Sequence, residues 1–142
     1  RPMRRRHVRE SALKMLYEAD IRGEPLDAAL EGFWEMSQPT GEAERRAAEE
    51  LARGVETHRA VLDERISAAA LNWKLDRMGY VDRNILRLGA YEIIFRPDVP
   101  PVVSIDEAVE IAKDYGTHDS PKFVNGILNK IKETAAHPGP ES

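Results

Sequence analysis

The sequence predicts an all-α fold, and three observations support this prediction. Apolar residues recur at the three- and four-residue spacing of amphipathic helices through most of the chain. Breaks that contain proline or glycine separate these periodic stretches. No segment alternates between apolar and polar residues in the way that is typical of a half-buried strand. The 142 residues are enough for one domain with its own core, which we expect to span residues 1–142.

Three helices are predicted in the N-terminal half, at about residues 4–71. The first is amphipathic from Val8 and ends at the break RGEP, and a shorter second helix lies between RGEP and the break SQPTG. A long third helix is expected over about residues 42–71, with Gly54 at a close crossing or a bend. The main apolar positions that we expect these helices to bury are Val8, Ala12, Ala19, Leu26, Ala29, Leu30, Phe33, Trp34, Ala48, Leu51, Ala52, Val55, Leu62 and Ile66.

The C-terminal half, at about residues 72–136, opens with the connector NWKLDRMGY. The segment 81–95 is apolar around most of its girth, so we expect it to be the central helix of this half. Two further helices have start signals, a Ser-x-x-Glu capping box at Ser104 and a Ser-Pro pair at Ser120. We expect the tail, residues 137–142, to be disordered.

Charge is distributed unevenly along the chain. Residues 1–23 contain seven Lys/Arg against three Asp/Glu, although the formal net charge of the whole chain is −4, so the remaining residues carry −8. Arginines in the first turn of a helix oppose the helix dipole, and stabilising the helix is therefore not their role. A basic tip on an acidic body attracts a polyanion locally and orients its approach. The alternative interpretation is a solvated chain end.

Composition and motifs exclude several classes of function. The chain has no cysteine, which excludes disulfides, thiolate metal sites and cysteine nucleophiles. It lacks the common phosphate-loop, dinucleotide, zinc-protease and nucleophile-elbow motifs, so we expect no enzyme activity and no cofactor. His118 beside Asp119 does not by itself make a metal site. No apolar run could cross a bilayer and no secretory signal is recognisable, and we expect a cytoplasmic protein.

Three motifs follow one another along the chain: the head RRRHVRESALKMLYE, the segment VDRNILRLGAYEIIF with the following VSIDEAVEIAKDYG, and the string DSPKFVNGILNKI. In this order they resemble the NusB family of bacterial transcription antitermination factors. The resemblance spans nearly the whole chain. Residues 24–45 and the tail match no particular feature of the family.

The resemblance implies an all-helical fold of about seven helices in two perpendicular bundles, and a non-enzymatic role. Members of the family pair with NusE, a small-subunit ribosomal protein, and the heterodimer binds the single-stranded boxA sequence of nascent RNA. The heterodimer acts in an antitermination complex on RNA polymerase, especially during ribosomal RNA transcription. Family members occur as monomers and as homodimers, and no feature of this sequence decides between the two states.

The resemblance and the side-chain chemistry together indicate candidate RNA-binding residues. Arginine pairs with phosphate and stacks on unpaired bases, which suits single-stranded RNA. In the string DSPKFVNG, Lys122 could contact phosphate, Phe123 could stack on a base, and Asp119 could accept from a base edge. Phe123 as a core residue and Asp119 as a helix cap are the alternatives. The full set of candidates is Arg4, Arg5, Arg6, Arg9, Tyr17, Arg87, Asp119, Lys122 and Phe123.

Charged residues also flank the start of the central helix, where the family meets NusE. Their mixed signs suit a polar interface, and a solvated face is the alternative. These candidate partner-binding residues are Asp76, Arg77, Asp82 and Arg83. Gly126 is unusual because glycine within a helix costs about 1 kcal/mol relative to alanine. We expect a close approach there, by a neighbouring helix or alternatively by an RNA or partner backbone.

Two other functions remain open at this point. One is the related RNA-binding domain that precedes the methyltransferase of ribosomal RNA cytosine methylases. That function requires a following doubly wound domain with a glycine-rich cofactor loop, whereas the sequence continues only to HPGPES. The other is a helical adaptor without a nucleic-acid role, in which the arginines would be incidental.

Overall fold

The computed structural model describes residues 4–135. Over this range it contains seven α-helices, two short 3-10 turns and no strand, which confirms the all-α prediction. The chain divides into two compact units, residues 1–57 and residues 58–142, whereas we expected the halves to meet near residue 71. The expected disorder of the tail concerns residues outside the described part of the chain.

The first unit is built around the contact between its two long helices. Its elements are α1 (Arg5–Arg22), α2 (Leu26–Leu30), a 3-10 turn (Phe33–Glu35) and α3 (Glu42–Thr57). Helix α1 packs against α3 and α2. The predicted second helix is shorter than expected because Glu31, with a ψ of 119°, leaves the helical range, and Gly32 follows in the left-handed conformation with a φ of 76°. The fully buried side chains of this unit include Ala12, Met15, Leu26, Ala48 and Ala52.

The second unit surrounds the predicted central helix. Its elements are α4 (Arg59–Ala69), a 3-10 turn (Leu75–Arg77), α5 (Tyr80–Phe95), α6 (Pro101–Tyr115) and α7 (Ser120–Ala135). Helix α5 packs against α4, α6 and α7, which confirms its central position. A Cβ atom on Gly89 of α5 would lie only 2.6 Å from Cδ1 of Leu128 on α7, so the close packing of these helices depends on this glycine. The core also contains Leu62, Ile66, Ile85, Leu86, Ile111, Val124 and Ile131.

The prediction of one long third helix is wrong. The helix is interrupted at His58, whose φ of −104° and ψ of 17° lie outside the helical range, and α4 begins at the next residue. The imidazole of His58 stacks on the ring of Phe95, with 3.9 Å between the ring centroids. A tertiary contact of this kind leaves no trace in the helical periodicity.

The capping role expected for Ser104 and the neighbouring helix expected at Gly126 are also wrong. Helix α6 begins at Pro101, so Ser104 lies inside the helix, and its buried hydroxyl donates a hydrogen bond to Oε1 of Glu92 at 2.7 Å. The Ser104 side chain therefore joins α6 to α5 and is not a cap. No neighbouring helix approaches Gly126, because a Cβ atom there would have no heavy atom of the described chain within 4 Å.

Candidate nucleic-acid interface

The basic segment of the first unit lies at the start of α1. Arg4 immediately precedes the helix and no acidic residue occupies the first turn. The backbone N–H of Arg4 donates to Oε2 of Glu44 at 2.8 Å, and Nη2 of Arg4 donates to Oε1 at 3.0 Å. These hydrogen bonds, chiefly the one from the backbone, hold the pKa of Glu44 below its usual value. One predicted RNA-binding arginine is therefore paired with a carboxylate of the same unit.

The other predicted residues of α1 differ in their exposure. Arg5 is exposed and Arg6 is half-buried. Arg9 is buried, with 8% of its surface exposed. Tyr17 is half-buried, two turns further along the helix. Among these residues, Arg5 and Arg6 are the best placed to meet an RNA phosphate.

A groove of about 410 Å³ in the second unit brings together residues from both predicted sites. It is lined by the end of the connector, the first turn of α5 and the start of α7. Three of the lining residues are RNA-binding candidates and two are partner-binding candidates. They are Asp119, Lys122, Phe123, Arg77 and Asp82.

The turn before α7 is ordered by side-chain and backbone hydrogen bonds. The backbone N–H of Thr117 donates to Oγ of Ser120 at 2.9 Å, and Oγ of Ser120 is buried with the rest of its residue. The backbone carbonyl of Asp119 accepts from the N–H of Phe123 at 3.1 Å, which places Asp119 at the N-cap position. These hydrogen bonds fix the backbone that carries the exposed side chains of Asp119 and Lys122.

Phe123 is neither a core residue nor fully exposed. It is half-buried, and its ring makes an edge-to-face contact with Trp73, with 5.6 Å between the ring centroids and 79° between the planes. Trp73 itself is 59% exposed and lines the same groove. Trp73 was not among the residues predicted from the sequence. Its position in a short polar connector was the available signal, since tryptophan is usually well buried.

Arg87 does not have the position that we expected for an RNA-binding residue. Its side chain is 4% exposed and donates to both carboxylate oxygens of Asp63 on α4, from Nε at 2.8 Å and from Nη2 at 3.1 Å. Its Nη1 donates to Oδ1 of Asn84 at 3.2 Å. This buried guanidinium joins α4 to α5, and a role in contacting RNA is not compatible with the structure.

The four predicted partner-binding residues lie around the start of α5. Asp76 and Arg77 are exposed in the 3-10 turn, and Asp82 and Arg83 are half-buried in the first turns of the helix. The guanidinium of Arg83 lies over the ring of Tyr80, with 4.4 Å between its central carbon and the ring centroid. These four residues, here called the mixed-charge surface, are close in sequence; Arg77 and Asp82 line the groove, and Asp76 lines a second depression on the side of the connector.

No three histidine or acidic side chains among residues 4–135 are grouped so that they could hold a metal ion. In the same part of the chain, no helix combines the length and the apolar character needed to cross a membrane.

Sequence comparison relates this chain to known proteins along most of its length. The model of the NusB family matches residues 6–133. A transcription antitermination protein NusB from Trichlorobacter lovleyi is 50% identical over 128 residues, which cover 90% of this chain and 89% of that protein. Another from Anaeromyxobacter dehalogenans is 48% identical over 128 residues, with the same coverage of both chains.

Solved structures give the same result. NusB from T. maritima superposes with a TM-score of 0.84 at 39% identity, covering 94% of this chain and 93% of that one. A chain in a crystal structure of the antitermination factors NusB and NusE in complex with double-stranded RNA superposes with a TM-score of 0.83 at 31% identity, covering 92% and 96% of the two chains. With a family match over nearly the whole sequence and relatives at this identity, the chain belongs to the NusB family.

Proposed function

We propose that this protein is a non-enzymatic transcription antitermination factor that binds single-stranded boxA RNA together with NusE. The observation that carries the proposal is the groove of the second unit, in which the exposed Trp73 and the half-buried Phe123 lie beside Lys122 and Asp119. Relatives named transcription antitermination proteins support it. The related structure of NusB and NusE in complex with double-stranded RNA supports the pairing with NusE and RNA as the class of ligand.

Each unit presents chemistry that suits a single strand of RNA. At the start of α1, Arg5 and Arg6 offer planar guanidinium groups to phosphates. In the groove, Lys122 offers a charge to phosphate, Phe123 offers an aromatic face or edge, and the Asp119 carboxylate can accept a hydrogen bond from the amino group of a base. Unpaired bases expose both their faces and their polar edges, whereas an RNA duplex hides them.

The mixed-charge surface at the start of α5 is the proposed site for NusE. Asp76 and Arg77 of the 3-10 turn, with Asp82 and Arg83 of α5, provide two carboxylates and two guanidinium groups within residues 76–83. Polar surfaces of this kind are typical of interfaces between proteins that also exist apart. The complex with NusE and RNA would then act with RNA polymerase in the cytoplasm.

The decisive experiment is a titration of labelled boxA RNA and of a scrambled RNA of the same composition, each with and without NusE. We expect tighter binding of boxA RNA, and a gain in affinity when NusE is present. Linkage requires that boxA RNA strengthens NusE binding by the same factor, typically about 5- to 150-fold. Equal affinity for boxA and scrambled RNA in the presence of NusE would overturn the proposal.

The surface assigned to NusE can be tested with one substitution and one control. Asp76→Lys reverses an exposed charge of this surface that lies outside the groove, and it should weaken NusE binding. It should weaken RNA binding mainly when NusE is present. Asp106→Lys makes the same change at an exposed position of α6, outside the surface, and should leave both affinities unchanged.

A further inference from the structure

The connector between α4 and α5 exposes two large apolar side chains, Leu71 and Trp73, which are 79% and 59% exposed. The connector is nevertheless ordered. The backbone N–H of Trp73 donates to the carbonyl of Ala70 at 3.0 Å, and the N–H of Arg77 donates to the carbonyl of Lys74 at 2.9 Å. Trp73 is thus held on a fixed backbone with most of its indole exposed.

The indole of Trp73 is also oriented by a neighbour. The ring of Phe123 meets it edge to face, an arrangement that aromatic pairs prefer, and restricts its rotation. Trp73 borders two concave regions, the groove described above and a depression of about 600 Å³ on the side of the connector itself. An exposed, pre-oriented aromatic face that borders concave surface is a platform for a flat ligand.

The groups around this platform decide which flat ligand fits. Arg77 and Lys122 supply two cations, and Asp82 and Asp119 supply two carboxylates, so the charges of the groove balance. A purely apolar protein side chain would leave these four groups without partners, which is costly when water is excluded. A nucleobase has an apolar face for stacking and an edge with both donors and acceptors, and the adjoining phosphate can meet Lys122.

We infer that Trp73 is the stacking platform for one unpaired nucleobase of the bound RNA, with Phe123 as the residue that orients it. This inference rests on the proposed RNA-binding function and adds to it a residue of the site and the class of group that it binds. Stacking on an aromatic side chain is independent of base identity, because every base has a π face. Trp73 therefore contributes affinity for RNA of any sequence, and the polar groups of the groove contribute preference for particular bases.

Tryptophan fluorescence tests this directly because the chain has only two tryptophans. Trp34 lies in the first unit, where its Nε1 donates to Glu49 at 2.7 Å. In the Trp34→Phe variant, where Trp73 is the only emitter, saturating boxA RNA should quench the fluorescence. In the Trp73→Phe variant, where Trp34 is the only emitter, the same RNA should leave the fluorescence nearly unchanged. Unchanged Trp73 emission at saturation would overturn the inference.

Affinity measurements provide the second test. Trp73→Ala should weaken binding of boxA RNA by about 5- to 150-fold, the range for loss of one stacked base. An abasic nucleotide at the stacked position should weaken binding to the unsubstituted protein by a similar factor and add little further loss in Trp73→Ala. Leu71→Ala removes an exposed apolar side chain of the same connector and should leave RNA affinity unchanged. Urea unfolding of each variant establishes that the fold is retained.

The outcomes separate this inference from the proposed function. Trp73→Ala could bind boxA RNA as tightly as the unsubstituted protein, while the unsubstituted protein prefers boxA to scrambled RNA. In that case the assignment of Trp73 as a stacking platform is wrong, and the proposed function is unaffected. If Trp73→Ala lowers affinity for NusE and leaves RNA affinity unchanged without NusE, the exposed indole is a protein-docking residue and the inference is wrong. If the unsubstituted protein shows no preference for boxA RNA, the proposed function itself fails.

Discussion

Arg4 is joined to Glu44 through both its backbone N–H and its guanidinium, at 2.8 Å and 3.0 Å. The contact links the residue before α1 to the first turn of α3, so it ties together the starts of the two long helices of the first unit. Helix α1 has no side-chain cap of its own. Glu44 therefore supports the start of α1 and, at the same time, neutralises one arginine of the basic segment.

The first prediction concerns the pH dependence of this contact. Because the Arg4 hydrogen bonds lower the pKa of Glu44 in the folded state below 4.5, the contact stabilises the protein above that pH. Its contribution is lost as the pH falls through the lowered folded-state pKa. Glu44→Gln should thus reduce the urea midpoint at pH 7, and the difference from the unsubstituted protein should shrink as the pH falls below 4.5.

The control for this prediction is Glu42→Gln in the same turn of α3. Glu42 is exposed, and its Oε2 lies 3.7 Å from Nε of Arg46. Removing its charge should therefore change the urea midpoint little at any pH. A difference between Glu44→Gln and the unsubstituted protein that stayed constant from pH 7 to pH 3 would contradict the prediction.

The second prediction concerns the salt dependence of RNA binding. Each phosphate contact with a single strand contributes about −0.7 to the slope of log K against log salt. Arg5→Ala with Arg6→Ala should reduce the magnitude of that slope by about 1.4, because these two arginines are accessible. Arg53→Ala removes an exposed arginine near the other end of α3 and should leave the slope unchanged. An equal slope in the unsubstituted protein, the double variant and Arg53→Ala would mean that the start of α1 does not contact RNA.

Much of the fold could be predicted because the strongest signals are local. The apolar girth of α5 and the Ser-Pro start of α7 are properties of short segments, and both helices lie where they were expected. The break at His58 could not be predicted in this way. His58 leaves the helix where its ring stacks on Phe95, a residue far along the chain.

The candidate site was predictable where its residues belong to one continuous string. Asp119, Lys122 and Phe123 follow one another at the start of α7 and line the same groove. Trp73 reaches that groove only because the connector folds against α7. Its position in the sequence therefore gave no indication that it lies near Phe123. Arg87 was misassigned for a similar reason, since its partner Asp63 lies on another helix.

The third prediction separates packing from binding at Phe123. Because Phe123 is half-buried, Phe123→Ala should cost about 1 to 2 kcal/mol of unfolding free energy, less than the 3 to 5 kcal/mol of a fully buried phenylalanine. RNA binding should weaken by about 1 to 3 kcal/mol as the aromatic contact is lost. Phe95→Ala removes a half-buried phenylalanine from the far end of α5 and should affect stability alone. Urea unfolding and RNA titration of both variants provide the measurement.

The fourth prediction is that two helical glycines respond to alanine with opposite signs. Gly126 is exposed, with open space around it, so Gly126→Ala should raise the unfolding free energy by about 0.5 to 1 kcal/mol. Gly89→Ala places a methyl group against the buried side chain of Leu128 and should lower it by about 1 to 3 kcal/mol. If Gly126→Ala also weakens RNA or NusE binding, the open space admits the backbone of that partner. Two changes of the same sign in urea unfolding would contradict the packing described for α5 and α7.

The last prediction tests whether Arg87 is purely structural. Arg87→Met leaves the Asp63 carboxylate without its bidentate partner, and the unfolding free energy should fall by about 2 to 4 kcal/mol. This loss lies near the lower end of the range for buried pairs because the Asp63 side chain is 26% exposed. The double variant Arg87→Met with Asp63→Leu removes both charges and should recover part of the loss, as expected for groups that interact directly. At a temperature where Arg87→Met is folded, its salt slope for RNA binding should equal that of the unsubstituted protein. A slope reduced by about 0.7 would instead mean that Arg87 leaves its partner and meets a phosphate when RNA binds.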